Sequence, residues 1–145
     1  MSGPDWDVSD AAYIAQLQGL LARADTGAGR SRLALYTTTP PASMGDAHAD
    51  TPQATLELAK PCGSLVGGAL VLHVADPAGA MVMSQGMPRW AEWIAADGVL
   101  LTRCIVTDMD HGGGIRVIGG TTPEGETSPM LYPGGLVQLG LVALT

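Results

Sequence analysis

Two short segments of this sequence bring carboxylates and an imidazole close enough to do chemistry. Asp108-Met109-Asp110-His111 runs into three glycines, and Asp46, His48 and Asp50 alternate along a second segment. Carboxylate oxygens and an imidazole nitrogen bind a hard divalent cation when further ligands join them. The first segment, however, matches neither an EF-hand loop nor HExxH, and Asp, His and Gly are also the residues a solvated strand connection prefers. The second lies between Gly45 and Pro52, whose presence predicts a mobile loop, whereas a metal site requires rigid support. Both segments are therefore expected to be connections, and no metal ligand is assigned.

Nucleophiles fare no better. Gly63-Ser64-Leu65-Val66-Gly67 lacks the G-x-S-x-G order of a nucleophile elbow and precedes a strand pattern where an elbow precedes a helix. Cys104 sits in an apolar β run, where a buried thiol stays protonated and inert. His73 lies within an apolar strand and reads as a half-exposed or hydrogen-bonded structural residue. The glycine runs 112–114 and 119–120 are not followed by Lys-Ser or Lys-Thr and open no helix, so they are no phosphate cradle. The expectation is a protein without catalytic residues, cofactor or metal.

The elements that would position such residues are mostly β. At 145 residues the chain fits a single core. An extended arm is expected over residues 1–8, around Trp6. A helix over residues 9–25 follows, with Ser9 and Asp10 as N-cap and acidic first turn. Tyr13, Ile14, Leu17, Leu20, Leu21 and Ala24 recur at helical spacing, and Gly27 stops it. From Arg32 the pattern changes to short β runs broken by Gly, Pro and Asp: 33–37, 55–59, 65–66, 69–74, 81–83, 90–95, 99–106, 115–118 and 136–144.

Within these runs Leu56 and Leu58 are expected inward with Glu57 outward, and Gly67-Gly68 a bend or bulge. Asp97-Gly98 should turn a tight hairpin. Val137, Leu139, Leu141 and Ala143 should share one face. Polar loops are expected over 43–52 and 121–129. Seven to nine short strands and one leading helix predict an antiparallel β-sandwich or jelly roll over residues 32–145.

Charge narrows the partners. The net charge is −7 and the seven basic residues are scattered singly, which argues against nucleic acid as a direct ligand and against anionic lipid. Charged residues make up 14% of the chain, against a typical ~25%. So sparse a charged surface suggests that partners cover part of it. No secretory leader is visible, and no apolar run is long enough to span a bilayer. Cys62 and Cys104 form no CxxC and read as reduced thiols. Trp90 and Trp93, at odd spacing in one strand, should face opposite ways, leaving one ring exposed or covered by another subunit.

The segment Arg32-Leu33-Ala34-Leu35-Tyr36-Thr37-Thr38-Thr39-Pro40-Pro41-Ala42-Ser43, preceded by an amphipathic helix, resembles the opening of a family of small structural proteins encoded by tailed bacteriophages and prophages. The Trp-bearing strand entering Asp97-Gly98 is similar to that family's Trp hairpin. Pro133-Gly134-Gly135-Leu136-Val137-Gln138-Leu139 is similar to its closing strand. Thr38 departs from the pattern where the family usually has Gly, and so does the Glu124-Gly125-Glu126 loop.

The resemblance implies a virion component without a substrate, first of all a capsid decoration or cement protein. Its partners would be the major capsid protein or other virion subunits, and it would form a dimer or trimer of its own. A tail or head-to-tail connector role is the alternative. A carbohydrate- or receptor-binding β module, with Trp90 or Trp93 stacking on a sugar, belongs to another class. Candidate interface residues are Trp6, Tyr13, Trp90 and Trp93.

Overall fold

The computed structural model describes residues 7–144, so the expected arm and Trp6 lie outside the described residues apart from Asp7 and Val8. Helix α1 spans Asp10–Ala24, with Ser9 as its N-cap: the Ser9 hydroxyl accepts from the Ala12 N–H at 3.1 Å. Asp10 in the first turn and Arg23 in the last complement the helix dipole. Leu17 and Ala24 are buried, and Leu20 and Leu21 pack beside them on the core. Sequence periodicity thus located this element to within a residue at each end.

Eight strands follow: β1 (Arg32–Tyr36), β2 (Ala54–Val66), β3 (Ala69–Val74), β4 (Ala80–Met81), β5 (Trp90–Ile94), β6 (Leu100–Thr107), β7 (Ile115–Ile118) and β8 (Leu136–Val142). They form one mixed sheet in the order β3-β2-β1-β5-β6-β7-β8-β4, curled into a half-barrel. Curling brings β3 towards β8 and β2 towards β4. The eight strands therefore form one continuous ladder where two antiparallel sheets were expected. One pair, β6 with β7, is parallel. Parallel neighbours normally need a long crossover. Here only Val106 and Thr107 pair with Ile115 and Arg116, so the 108–114 connection steps back by little more than one residue before the chain runs on.

The main core fills the concave side of the curl, with Leu33, Leu35, Leu56, Leu58, Trp93 and Val137 among its buried members. A smaller cluster of Ala34, Tyr36 and Trp90, with Ile94 beside it, lies on the convex side. Strand β1 is thus buried on both faces, which is why its sequence, RLALY, shows no polar alternation. Both tryptophans are buried, Trp90 at 1% exposure and Trp93 at 4%. They do face opposite ways, but the expectation of an exposed ring is corrected: Trp93 enters the core, and residues 37–53 cover Trp90. Burial of each large apolar side chain contributes roughly 1.5–3 kcal/mol.

Three local readings change. The break expected between the runs 55–59 and 65–66, at Pro61-Cys62-Gly63, is instead part of β2, which absorbs it through an irregularity between Leu58 and Gly63. Gly67 and Gly68, at φ +59° and +80°, make the two-residue turn that joins β2 to β3. Two successive positive φ values are what a hairpin turn of this hand requires. In β8 the register slips at Gly140: Arg116 pairs with Leu141 but Val117 with Leu139. The extra residue turns Leu141 outward, to 42% exposure, and sends Val142 to the core instead. The Asp97-Gly98 hairpin stands as expected, with Gly98 at φ +91°.

Candidate functional site

The densest polar chemistry lies on the convex side, between β1, β5 and the segment 37–53. Antiparallel pairing sets Tyr36 opposite Trp90 and Ala34 opposite Glu92. The Tyr36 and Trp90 rings stack with centroids 4.5 Å apart and planes 24° apart. Beside them Glu92 is buried, at 7% exposure for the residue. A buried carboxylate is costly unless hydrogen-bonded, and two side chains supply the bonds. The Tyr36 O–H donates to Oε1 at 2.8 Å, and His48 Nε2 lies 3.1 Å from Oε2. The His48 ring also stands edge-on to Tyr36 and Trp90, at 5.1 and 5.2 Å.

Hydrogen-bond roles follow from the neighbours. The Asp50 N–H donates to His48 Nδ1 at 3.3 Å, so a neutral ring carries its proton on Nε2 and gives it to Glu92. The Asp50 carboxylate waits 3.4 Å from the same Nδ1. Burial first, and then the hydrogen bond to Glu92, hold the Tyr36 phenol well above its ordinary range, which keeps it a donor. Two more bonds tie the covering segment down: Trp90 Nε1–H to Thr38 Oγ1 at 3.3 Å and Arg103 Nη1–H to the Pro41 carbonyl at 2.6 Å. With Tyr36, Trp90 and Glu92 all buried, the cluster offers no face to a substrate. What it does is fasten the segment to the sheet.

The sequence had grouped Asp46, His48 and Asp50 as one set on a mobile loop. The structure separates them: Asp46 Oδ2 accepts from the Ser43 N–H within its own turn, while His48 lies between the carboxylates of Asp50 and Glu92. Glu92 was missed. Its signal was a lone carboxylate inside the apolar run Trp90-Ala91-Glu92-Trp93-Ile94, a position that obliges a buried partner.

The second carboxylate and imidazole group is a turn. Asp108 Oδ1 accepts from the N–H groups of Asp110 and His111 at 3.0 and 3.1 Å and meets His111 Nδ1 at 2.7 Å. Its Oδ2 accepts from the Thr122 hydroxyl at 2.5 Å. The Thr122 hydroxyl first, and then His111, hold the Asp108 carboxyl down at about 2. Among the described residues no group of three or more His, Cys, Asp or Glu side chains is placed to hold a metal ion.

Ser64 Oγ lies 3.1 Å from His73 Nε2 on the exposed β2–β3 hairpin. Neither is hydrogen-bonded to a carboxylate among the described residues, so nothing orients the imidazole as a base. Cys62 and Cys104 are free thiols. Burial pushes each up to about 11, with Asp25 adding to the effect at Cys62, and both stay protonated.

Of the four side chains expected at an interface, Trp6 lies outside the described residues and Trp90 and Trp93 are buried. Tyr13 donates its hydroxyl to the Leu144 carbonyl at 3.0 Å, clasping α1 to the end of β8. Exposed apolar groups cluster elsewhere. Met81, Ile118, Leu136 and Leu141 point outward from β4, β7 and β8, at 59%, 47%, 51% and 42% exposure. A groove of about 620 Å³ runs beside them, between Pro123, Met130, Tyr132 and Leu136. Over β4, β7 and β8 the only charged side chain is Arg116. Outward positions in a half-buried sheet are normally polar. The apolar residues that flank Arg116 in Ile115-Arg116-Val117-Ile118 and Gln138 in Leu136-Val137-Gln138-Leu139 were the signal for this face. Against protein-family models, curated proteins and solved structures, the chain matches none.

Proposed function

We propose that this chain is a structural subunit of a tailed-phage particle, a capsid decoration or cement protein whose partners are the major capsid protein lattice and copies of itself. The observation that carries the reading is the apolar, nearly uncharged convex face of β4, β7 and β8. A large contiguous apolar patch on a soluble domain marks a site of association. The sequence likeness to phage structural proteins supplies the kind of assembly. On this reading the two walls of the curled sheet act as a sandwich-like rigid body, and its outer contours do the work. The sugar-binding alternative required an exposed ring at Trp90 or Trp93, and both rings are buried.

The test is the copy number of the chain in purified particles of the phage or prophage that encodes it. Stoichiometry near that of the capsid protein supports decoration. A single ring of copies moves the role to the neck or tail. Absence from particles overturns the virion reading altogether.

A further inference from the structure

We propose that the concave side of the curled sheet binds a neutral aliphatic molecule with one hydrogen-bond acceptor, its oxygen on the Trp93 indole and its chain in the seam between β3 and β8. Such a site goes beyond a place in a particle and stands whether or not the chain has one. A cavity of about 50 Å³ lies between Leu33, Leu70, Leu72, Trp93, Ile115 and Val142. Trp93 is 4% exposed, and its Nε1–H has no hydrogen-bond partner among the described residues. An indole N–H taken out of water normally finds an acceptor. Trp90, in the same strand, keeps that rule on Thr38 Oγ1. The ring that walls the cavity therefore carries a donor that the fold leaves unused, in an apolar lining of the kind that holds small molecules.

The lining decides what the acceptor can be. Thr102, opposite Trp93 in the ladder, and Cys104 add neutral polar groups, and burial keeps the Cys104 thiol protonated. Arg103 stands between them in sequence, but its guanidinium is on the Pro41 carbonyl, on the convex side. A carboxylate would enter with no cation to offset its desolvation. A ketone or alcohol oxygen needs only the N–H.

The aliphatic chain has a path. Strand β3 ends the sheet on one side, and on the other β4 pairs only with Leu136 and Val137 of β8. The curl brings β3 against the rest of β8, yet among the described residues no backbone hydrogen bond joins the two. A barrel closes its sheet with such bonds; here side chains alone close the seam. Leu70, Val71 and Val74 lie across a groove of about 110 Å³ from Leu139, Leu141 and Val142. Leu70, Leu72 and Val142 wall both this groove and the cavity. Side chains can part without breaking a ladder, so the seam admits a chain that a closed barrel would exclude. With about 10–15 Å³ for each water-sized group, the cavity takes the oxygen and about three carbons, and the groove takes the rest of a chain of about six.

Titration of the full chain with 2-hexanone, followed by NMR of the indole N–H groups, tests the site. The Trp93 indole proton should move downfield and saturate, while that of Trp90, already bonded to Thr38, stays in place. Hexane fills the same space without an acceptor and should bind about tenfold more weakly, the difference one hydrogen bond makes. Hexanoate at neutral pH should also bind more weakly than the ketone. Trp93→Phe should bring the ketone down to the affinity of hexane. A Trp93 resonance that does not respond overturns the proposal, as does hexane or hexanoate binding as tightly as the ketone, or a Trp93→Phe chain that still prefers the ketone. An interior water only, shown by a water–indole NOE that persists at saturating ketone, overturns it too. Should Trp93→Phe fail to fold, the comparison of ketone with alkane on the wild-type chain decides by itself.

Discussion

The two convex faces of this sheet solve opposite problems. Over β1 and β5 the sequence places a carboxylate, Glu92, between two tryptophans, and the chain spends residues 37–53 covering it. The side chains around the carboxylate are paired: Tyr36 and His48 on Glu92, Thr38 on Trp90, Arg103 on Pro41. Over β4, β7 and β8 the outward side chains include Met81, Ile118, Leu136 and Leu141, with Gln138 and Arg116 as the polar members, and no segment of the described chain folds over them. A buried charge must be satisfied before the chain can fold, because its desolvation is charged to the fold itself. An apolar face carries no such obligation and can wait for another molecule. Polarity therefore went where the cover is intramolecular, and apolarity where it is not.

The largest effect should come from breaking the covered face. Trp90→Ala removes a ring at 1% exposure that stacks on Tyr36 and anchors Thr38. Chemical denaturation should report a loss of about 3–5 kcal/mol, a large part of a typical total of about 5–15. A loss below about 1 kcal/mol would mean that the second core is not a stabilising unit. Next comes Tyr36→Phe, which keeps the ring but leaves Glu92 Oε1 without its donor. The expected cost is about 1–3 kcal/mol. An unchanged midpoint would show that water replaces the phenol, and that the carboxylate is less enclosed than the residue's 7% exposure indicates.

How much of this difference could be read in the sequence depends on what each residue had to say locally. Ser9, the helical stripe and Gly27 determine α1 with nearby residues alone, and Asp97-Gly98 does the same for the β5–β6 hairpin. Leu56, Glu57 and Leu58 alternate because β2 has one wet face at that point. Gly140 carries no local mark: its slip is set by pairing with β7, so the outward turn of Leu141 was invisible. The parallel step from β6 to β7 is equally non-local. His48 and Glu92 are 44 residues apart, and their meeting depends on a loop path that turn propensities do not specify. The candidate site was thus half legible, its imidazole noticed and its carboxylate not.

The open face should respond in the opposite way. Leu136→Lys and Ile118→Lys place charge on half-exposed side chains that a lysine can extend into solvent, so the isolated chain should change by no more than about 0.5 kcal/mol. Their effect belongs to assembly, read as lower occupancy on particles or as lost self-association in sedimentation velocity. Destabilisation of the isolated chain by several kcal/mol would show that the face is already covered from within, and the contrast between the two regions would disappear.

The smallest effect tests the rim of that open face. Asp108 orders the 108–114 connection through the N–H groups of Asp110 and His111 and the Thr122 hydroxyl, and this turn carries Met109 onto Gly140 beside Ile118. With its carboxyl held at about 2 against an ordinary 3.8, the charged form is favoured by the folded state. Asp108 therefore contributes stability that is fully present above about pH 4 and is lost as pH falls towards 2. Asp108→Asn should lower the thermal midpoint slightly at neutral pH, and the wild-type and variant midpoints should converge in acid. A difference that persists at pH 2 would mean that the oxygen's geometry, and not its charge, holds the turn. Met109 would then stay in place on the apolar rim whatever the pH.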